Sequence, residues 1–338
     1  MLNLQTPIIA EIAQAHDGSL GILHSYIDAL AGTGVQIVKF QLHIAEAESS
    51  ELETFRVPFS YVDKTRKEYW KRMEFSLDRW RGIKSHCEEK GMEFLATPFS
   101  IAAVDWLEEL QVKRYKVGSG DIGNLLLLDR ISQTGKPVIL SSGMSDWKEL
   151  QQAVDLFKSG HTDLSVMQCT TAYPCPPEDT GLGLIPEMKS RFQIPVGYSD
   201  HSATIAAGIA AVALGADLLE VHVTFDRRMF GPDSKASLTI DEVRQLCEAV
   251  AFVERAREKT KLKEDAQRFQ ELKTLFGKSL SVNKALIAGH VLQKEDLETK
   301  KPAGAGIPAA DYRQLIGKKL KRDLQKYEFI NWSDLADE

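Results

Sequence analysis

Long apolar runs are missing from this chain of 338 residues, and so is an excess of basic residues. No run of roughly 18 or more apolar residues occurs, which excludes a transmembrane helix. The formal net charge is −6, whereas nucleic-acid-binding proteins usually present a basic face. The first residues lack a basic segment followed by an apolar core, so we expect no secretory signal and a cytoplasmic location.

Cysteine is also scarce. The four cysteines, Cys87, Cys169, Cys175 and Cys247, are scattered along the chain and lack the spacing of a zinc site. A chain of this length needs no disulfide framework, so we expect reduced thiols. A hydrophobic content of 43% and a charged content of 27% are ordinary for a globular protein, and the length allows one large domain and one small one.

A glycine-rich phosphate turn, which a dinucleotide-binding sheet requires, is absent after the first strand-like segment. Strand-like and helix-like patterns instead alternate as far as about residue 260. The strand-like segments are continuous apolar runs, as expected of parallel strands buried on both faces. They are 7–13, 35–41, 92–97, 114–117, 137–141, 164–169, 194–198 and 216–221. Eight repeats in about 250 residues predict an α/β fold of the (β/α)8 TIM-barrel type rather than an open doubly wound sheet.

The connections between these strands are mostly helical in pattern. The helix-like segments are 20–31, 77–90, 101–110, 147–159, 184–192, 204–214 and 240–257, and residues 42–75 form a long polar stretch dotted with aromatic residues. After residue 257 the composition changes. Residues 258–277 are rich in Lys, Glu and Arg, whereas residues 278–338 contain short β-like pieces separated by Gly and Pro. We therefore predict a barrel over 1–257, a linker over 258–277 and a separate small domain over 278–338.

Two histidines, His201 and His222, each follow one of the predicted strands, 194–198 and 216–221. The carboxyl ends of the strands in a parallel barrel meet at one rim, so these two side chains could bind a single divalent metal ion. Either histidine alone would more often be an ordinary polar residue, because a lone strand-end histidine has many possible roles. The pair favours a metal site because the other predicted strand ends also carry polar side chains.

Two lysines, Lys39 and Lys116, lie inside apolar strands. Burying an unpaired ammonium group costs several kcal/mol, so each lysine needs an anion. One alternative is an internal ion pair with Glu11 or Asp121. The others are a bound phosphate or carboxylate and a Schiff base with substrate. Anion binding is favoured, because hydroxyl groups occupy the neighbouring strand ends, at Thr97, Ser119, Ser141, Thr170 and Thr171.

A series of motifs in the chain resembles the sialic acid synthase family, whose members condense phosphoenolpyruvate with an N-acetylated hexosamine to give a nine-carbon 2-keto acid. Legionaminic-, pseudaminic- and spore-coat-type synthases share this framework. The motifs are Ile9-Ala10-Glu11-Ile12, His16-Asp17-Gly18, Val38-Lys39-Phe40-Gln41, Ala96-Thr97-Pro98-Phe99, Lys116-Val117-Gly118-Ser119-Gly120-Asp121, Leu140-Ser141-Ser142-Gly143-Met144, Cys169-Thr170-Thr171-Ala172-Tyr173-Pro174, Tyr198-Ser199-Asp200-His201 and Gly231-Pro232-Asp233. Residues 278–338 resemble the antifreeze-like domain of the family, a β-clip also called SAF.

The resemblance implies a role for each matching residue. His201 and His222 would bind a divalent metal ion, Mn²⁺ in the first place, with Mg²⁺ or Co²⁺ as alternatives. Lys39, Thr97, Lys116, Ser119 and Ser141 would bind phosphoenolpyruvate. Glu11, Gln41, Asp121, Tyr173 and Asp233 would lie near the acceptor sugar or the metal-bound water, with Glu11 or Asp233 handling protons. Thr171 would bind substrate at a position where well-known members carry Asn.

The resemblance also implies a domain-swapped homodimer, in which the antifreeze-like domain of one protomer reaches the barrel mouth of its partner. Lys301 stands where the family has an Arg for this contact, and the glycine spacing after it is longer by one residue. Two alternatives remain open. A related 3-deoxy-sugar synthase or metal aldolase would lack the small domain, and a non-catalytic carbohydrate-binding protein would have lost the polar strand ends. Neither a membrane nor a nucleic acid is expected as a partner.

Overall fold

A computed structural model of the chain describes residues 4–57, 59–258, 263–264 and 266–336. The chain divides into two compact units, Met1–Glu258 and Lys259–Glu338. Residues 259–262 and 265, which belong to the predicted linker, lie outside the described residues. Within the described ranges, no helix is long and apolar enough to cross a membrane.

The first unit is the predicted (β/α)8 barrel. Its strands are β1 (Ile8–Glu11), β2 (Ile37–Leu42), β3 (Glu93–Pro98), β4 (Tyr115–Val117), β5 (Val138–Ser141), β6 (Leu164–Cys169), β7 (Val196–Asp200) and β8 (Leu219–Thr224). Hydrogen-bonded neighbours are parallel and follow the order β3-β2-β1-β8-β7-β6-β5-β4. Strands β3 and β4 lie beside each other at the seam. The sheet is therefore a nearly closed barrel.

Helices connect the strands on the outside of the barrel. They are α1 (Leu20–Leu30), α2 (Ala45–Glu48), α3 (Arg66–Met73), α4 (Leu77–Glu89), α5 (Ile101–Glu109), α6 (Leu125–Ser132), α7 (Trp147–Ser159), α8 (Leu184–Phe192), α9 (Ile205–Ala213) and α10 (Ile240–Glu258). The sequence pattern did not predict α6, because its first four residues are all leucine and hide the helical period. Nor did it predict α3, although Thr65 and Glu68 form a capping box at its start.

Strands β7 and β8 extend further than the sequence pattern predicted. The prediction ended β7 at Tyr198 and β8 at Val221, whereas the strands end at Asp200 and Thr224. The end of β8 stays extended because it pairs with a ninth strand, β9 (Leu238–Thr239). His222 therefore lies within β8, level with Glu11 of β1, rather than after the strand.

The interior of the barrel has an apolar layer below a polar one. The apolar layer is a buried cluster of Ile9, Ile37, Leu95, Ile139, Met167 and Leu218. Successive side chains of a strand alternate between its two faces, so the residue two positions further on points to the same side. Those residues are Glu11, Lys39, Thr97, Ser141, Cys169 and Glu220, and all are buried. The polar layer therefore lies next to the apolar layer inside the barrel, on the side of the carboxyl ends of the strands.

The second unit has a hydrophobic core of its own. Helix α11 (Gln270–Phe276) precedes an antiparallel pair of strands, β10 (Ser279–Val282) and β11 (Leu297–Lys300). The core side chains are Leu280, Val282, Leu286, Leu292, Ile307, Leu315, Leu320, Leu324, Ile330 and Leu335. A separate core of this kind is what an independent small domain requires.

Candidate active site

Four ionisable side chains lie together in the polar layer, and we call them the charge cluster: Glu11, Lys39, Lys116 and Glu220. The ammonium nitrogen Nζ of Lys39 lies 3.2 Å from Glu11 Oε1 and 3.1 Å from Glu220 Oε1. Lys116 Nζ lies 3.6 Å from Glu220 Oε2. The predicted ion pair of a buried lysine with Glu11 is therefore present, whereas Asp121 is not a partner and Glu220 takes its place.

Burial and the neighbouring opposite charges shift the pKa values of this cluster in opposite directions. Burial favours the neutral form of Lys39, but the attraction of Glu11 and Glu220 outweighs it and raises the pKa of Lys39. For Lys116 burial dominates, and the nearby charge of Lys39 adds to it, so its pKa is lowered despite Glu220. Burial would raise the pKa of Glu220, but Lys116 and Lys39 together lower it to about 2. The cluster thus holds Glu220 as an ionised carboxylate and leaves the charge of Lys116 less well compensated than that of Lys39.

Hydroxyl groups at the rim contact Lys116 and the nearby Gly143. Lys116 Nζ donates a hydrogen bond to Ser141 Oγ, and the backbone N–H of Gly143 donates to Ser119 Oγ at 3.1 Å. A Cβ atom at Gly143 would lie 2.6 Å from Thr171 Oγ1 and 2.7 Å from Ser119 Oγ. The hydroxyls of Thr171 and Ser119 therefore pack against Gly143 so closely that no larger residue fits there.

Two of the hydroxyls have unused hydrogen-bonding capacity. Thr97 Oγ1 and Thr171 Oγ1 are buried and have no partner among the described residues, and the same holds for Glu11 Oε2 and Glu220 Oε2. A buried polar atom without a partner costs free energy unless a ligand or water satisfies it. The orphaned atoms line the same rim as Lys116, so the site is suited to bind a polar ligand.

The two histidines come together, as predicted, beside an aromatic side chain. The ring centroids of His201 and His222 are 5.3 Å apart, and the Tyr173 ring stacks on His201 at 4.1 Å. Burial lowers the pKa of His201 to about 3, so this imidazole is neutral at pH 7. Its Nδ1 donates to the carbonyl oxygen of Thr170 at 2.8 Å, which leaves the lone pair on Nε2. His222 Nδ1 lies 4.0 Å from Asp233 Oδ2.

The histidine pair is not completed by a third protein ligand. Over residues 4–57, 59–258, 263–264 and 266–336, no group of three or more His, Cys, Asp or Glu side chains is arranged to hold a metal ion. A site made from the pair alone would leave most of the coordination sphere to water and substrate.

The remaining predicted residues are more dispersed. Gln41 Nε2 donates to Glu11 Oε1 at 2.9 Å, next to the charge cluster. Asp121 lies on a short 3₁₀ turn after β4, where it accepts a hydrogen bond from Asn124. Burial is the main reason that the pKa of Asp121 is raised. Lys301 belongs to the second unit, where its Nζ lies 5.1 Å from the centre of the Phe276 ring.

Sequence reasoning missed several residues of the site. Glu220 carried the same signal as the two lysines, a charge inside an apolar strand, but it was not singled out. Gln14 and His43 contact Gln41. Arg56, from the long polar stretch, places its guanidinium carbon 4.7 Å from the Tyr173 ring centre. No local pattern marks Gln14 or Arg56, because their partners lie far away along the chain, whereas His43 directly follows β2 and was not singled out.

The fold and the rim together define the class of this protein. A (β/α)8 barrel that carries its polar groups at the carboxyl ends of the strands has the usual layout of a barrel enzyme. Buried lysines, converging hydroxyls and unsatisfied buried oxygens are the features of a site for an anionic, oxygen-rich substrate. The protein is thus a barrel enzyme whose rim carries buried lysines and hydroxyl groups.

The chain belongs to the NeuB family, which it matches over residues 26–261, and a SAF domain follows over residues 277–336. It is 33% identical over 332 residues to N,N'-diacetyllegionaminic acid synthase of Campylobacter jejuni, covering 96% of this chain and 99% of the relative. It is 35% identical over 317 residues to human N-acetylneuraminate-9-phosphate synthase, covering 93% of this chain and 88% of the relative.

A solved structure supports the same assignment. The N-acetylneuraminic acid synthetase of Leptospira borgpetersenii, in complex with citrate, superimposes with a TM-score of 0.70 at 30% identity. The match covers 80% of this chain and 91% of that one. The resemblance in the motifs is therefore confirmed, and the protein is an enzyme of the N-acetylneuraminate synthase type.

The charge cluster leads to a prediction about stability. Replacing Glu220 with Gln leaves two buried lysines with Glu11 as the remaining carboxylate of the cluster. Removing one partner of a buried ion pair costs about 3 kcal/mol or more. We therefore expect Glu220→Gln to lower the free energy of unfolding by about 3 kcal/mol in urea denaturation of the full chain.

Glu187 provides a matched control on the surface. Its Oε1 lies 3.8 Å from Arg191 Nη2, with both side chains largely exposed. Exposed pairs contribute little, so Glu187→Gln should change the free energy of unfolding by less than about 0.5 kcal/mol. Similar losses in the two variants would mean that water screens the charge cluster, contrary to its burial.

Proposed function

We propose that this enzyme condenses phosphoenolpyruvate with an N-acetylated hexosamine, such as N-acetylmannosamine or a related sugar. The products are a nine-carbon 2-keto sugar acid and inorganic phosphate. The observation that carries the proposal is the buried rim itself: Lys116 Nζ donates to Ser141 Oγ, and the hydroxyls of Thr97 and Thr171 have no hydrogen-bond partner among the described residues. The names of the relatives from Campylobacter jejuni and human supply the class of acceptor.

Phosphoenolpyruvate would lie across the polar layer. Lys116, Ser119 and Ser141 would bind its phosphate, together with the otherwise unpartnered hydroxyls of Thr97 and Thr171. Lys39 would face the carboxylate of phosphoenolpyruvate. Glu11 and Glu220 hold its ammonium group in the polar layer, at the same depth in the barrel as Lys116. Cations fixed before substrate arrives stabilise the charge that moves onto the leaving phosphate.

The reaction would form a carbon–carbon bond and break a carbon–oxygen bond. Carbon 3 of phosphoenolpyruvate attacks the aldehyde carbon of the open-chain sugar, whose oxygen takes up a proton. Water adds to carbon 2 and loses one proton. The bond between carbon 2 and the phosphate oxygen then breaks, and the new hydroxyl on carbon 2 becomes the keto group as its proton passes to the departing phosphate. Glu11 has a buried oxygen without a partner and is our candidate to accept the water proton. Gln41, Asp121, Tyr173 and Asp233 would contact the acceptor.

A divalent metal ion fits the histidine pair. His201 is neutral with its Nε2 lone pair available, and His222 lies beside it, so His201 and His222 would hold the ion. Mn²⁺ is our first candidate, with Mg²⁺ and Co²⁺ as alternatives. When bound, the ion would polarise the aldehyde oxygen as a Lewis acid.

A phosphate-release assay tests the reaction. We expect the purified protein to release phosphate from phosphoenolpyruvate only when an N-acyl amino sugar is present. The acceptor panel should contain N-acetylmannosamine, its 6-phosphate and 2,4-diacetamido-trideoxyhexoses. Replacing Lys116 with Met removes a rim cation, so the Michaelis constant for phosphoenolpyruvate should rise at least about tenfold. Release of phosphate without any acceptor, or with none of the panel, would refute the proposal.

Metal binding can be measured without the reaction. Isothermal titration of metal-stripped protein with Mn²⁺ should show about one site per barrel, and His222→Ala should abolish it because one of two protein ligands is lost. His161, which is exposed on the surface, provides the control, since His161→Ala should bind as the parent does. Chelator should stop phosphate release, and Mn²⁺ should restore it. Unchanged Mn²⁺ binding by His222→Ala would contradict the assignment.

We also propose a homodimer in which the SAF domain of each protomer closes over the barrel of its partner. The linker is rich in charged residues, and Lys301 is a cation on a loop that contains Gly304 in the left-handed region, with φ of 84°. A cation on such a loop is suited to bind a polyhydroxyl or anionic substrate.

Mixing two impaired variants, assayed at a phosphoenolpyruvate concentration well below the raised Michaelis constant of Lys116→Met, tests the exchange. Lys116→Met has a defective barrel and an intact Lys301, whereas Lys301→Ala has the reverse. If the domains are exchanged, a mixed dimer contains one intact pair, so co-expression should restore activity well above that of either variant alone. If each domain served its own barrel, mixing would restore nothing. Sedimentation should show a dimer for both variants.

A further inference from the structure

His43 and Glu48 form a buried pair beside Gln41, outside the residues that the reaction itself requires. We propose that these two are positioning residues, which fix the orientation of the Gln41 side-chain amide for the amino-sugar acceptor. The inference rests on the proposed function, since Gln41 would contact the acceptor. The inference is based on a hydrogen-bond network that runs from Glu48 through His43 and Gln14 to Gln41 and Glu11.

The imidazole of His43 is held in one orientation. It directly follows β2 and is only 3% exposed. Its ring stacks on Trp70 at 3.9 Å and on Phe99 at 4.6 Å. Its Nδ1 lies 2.6 Å from Glu48 Oε1, and the Glu48 side chain is 7% exposed. A ring that is stacked on two aromatic side chains and bonded to a buried carboxylate cannot rotate without breaking these contacts.

The directions of the hydrogen bonds follow from the chemistry of the partners. A carboxylate only accepts, so His43 Nδ1 carries a proton, and the amide donor of Gln14 beside Nε2 assigns the acceptor role to that nitrogen. Gln14 Nε2 lies 3.0 Å from that nitrogen and also donates to Gln41 Oε1. Both hydrogens of the Gln14 amide are therefore used. At the other end Glu11 accepts from Gln41 Nε2 at 2.9 Å, again because a carboxylate only accepts.

The bond to Glu11 sets which way the Gln41 amide faces, and Gln14 Nε2 and the His43 ring, whose Nε2 lies 3.2 Å from Gln41 Oε1, enclose the oxygen end of that amide. The Oε1 atom must face Gln14, and the Nε2 atom must face Glu11, which leaves one N–H of Nε2 free. Gln41 is only partly buried, so this N–H can donate to an oxygen of the acceptor, a hydroxyl or the N-acyl carbonyl. If the amide flipped, its oxygen would face both Glu11 and that acceptor oxygen, and both contacts would become repulsive.

The orientation of the Gln41 amide thus depends on which ring nitrogen of His43 carries the proton. If Nδ1 lost its acceptor, the proton could move to Nε2 and would then oppose the N–H of Gln14. Gln14 would turn away, and Gln41 would lose the donor that keeps its oxygen in place. The acceptor should then bind less well, whereas phosphoenolpyruvate, held by Lys116 and the rim hydroxyls, should not be affected.

Variants at Glu48 test this without disturbing the aromatic stack. Glu48→Met removes the acceptor and should raise the Michaelis constant for the amino sugar about tenfold, the equivalent of one hydrogen bond. The constant for phosphoenolpyruvate should change less than about twofold. Glu48→Gln still offers an oxygen to Nδ1 and should restore nearly the parental value. Equal changes in both constants, or equal effects of the two variants, would overturn the proposal.

A double-mutant cycle separates positioning from general stability. His43→Phe keeps the stacked ring but removes both nitrogens, and it should act like Glu48→Met. In a Gln41→Met background His43→Phe should have no further effect, because the amide that it positions is gone. An additive effect would show that His43 acts independently of Gln41. The control is His86→Phe, whose imidazole pairs with Asp28 at 3.2 Å between the outer helices α1 and α4 and should not matter for kinetics.

A measurement without turnover distinguishes this inference from the proposed function. Selective ¹⁵N labelling of glutamine gives side-chain amide signals, and Gln41→Met identifies the signal of Gln41. Glu48→Met should shift or broaden that signal, and Glu48→Gln should leave it in place. If the parent released no phosphate, the proposed function would fail, and the amide signal would still decide the positioning. An unchanged signal in Glu48→Met would overturn the inference alone.

Discussion

The ion pairs between two lysines and two glutamates inside the barrel are the constraint on which the rest of the site depends. Charges at this depth are tolerated only if they compensate one another, so Lys39 and Lys116 require Glu11 and Glu220. Because the carboxylates already satisfy Lys39, Lys116 is the less compensated cation, and the hydroxyl of Ser141 accepts its hydrogen bond. The proposed anion site would thus be a consequence of how the barrel balances its own charges.

The sequence predicted the parts of this arrangement that follow from the alternation of strand residues. Lys39 and Lys116 could be recognised because a charge in an apolar strand is costly and needs a reason. The same reasoning applied to Glu220, and its omission was an oversight rather than a limit of the sequence. By contrast, helix α6 could not be predicted from the sequence, because its four successive leucines show no helical periodicity. His222 was assigned to a strand end because the pairing of β8 with β9 cannot be read from local pattern.

The contacts of the polar stretch 42–75 could not be predicted from local patterns at all. His43 stacks between Trp70 and Phe99, and Arg56 reaches Tyr173, so each depends on residues far away along the chain. Side chains on loops acquire their partners only when the tertiary fold is complete. The sequence therefore identifies the strand-borne half of the site, and the structure is needed for the loop-borne half.

This division between strands and loops has a consequence for how such enzymes diversify. The groups around the anion site sit on or directly after strands whose register is fixed by their neighbours, so a change there disturbs the barrel. The groups near Gln41 and Tyr173 belong partly to the polar stretch 42–75, whose residues can be substituted without moving a strand. Two relatives with differently named sugar products share nearly equal identity with this chain, 33% and 35%. New acceptors can thus arise by drift in one connection while an inherited phosphate chemistry stays intact.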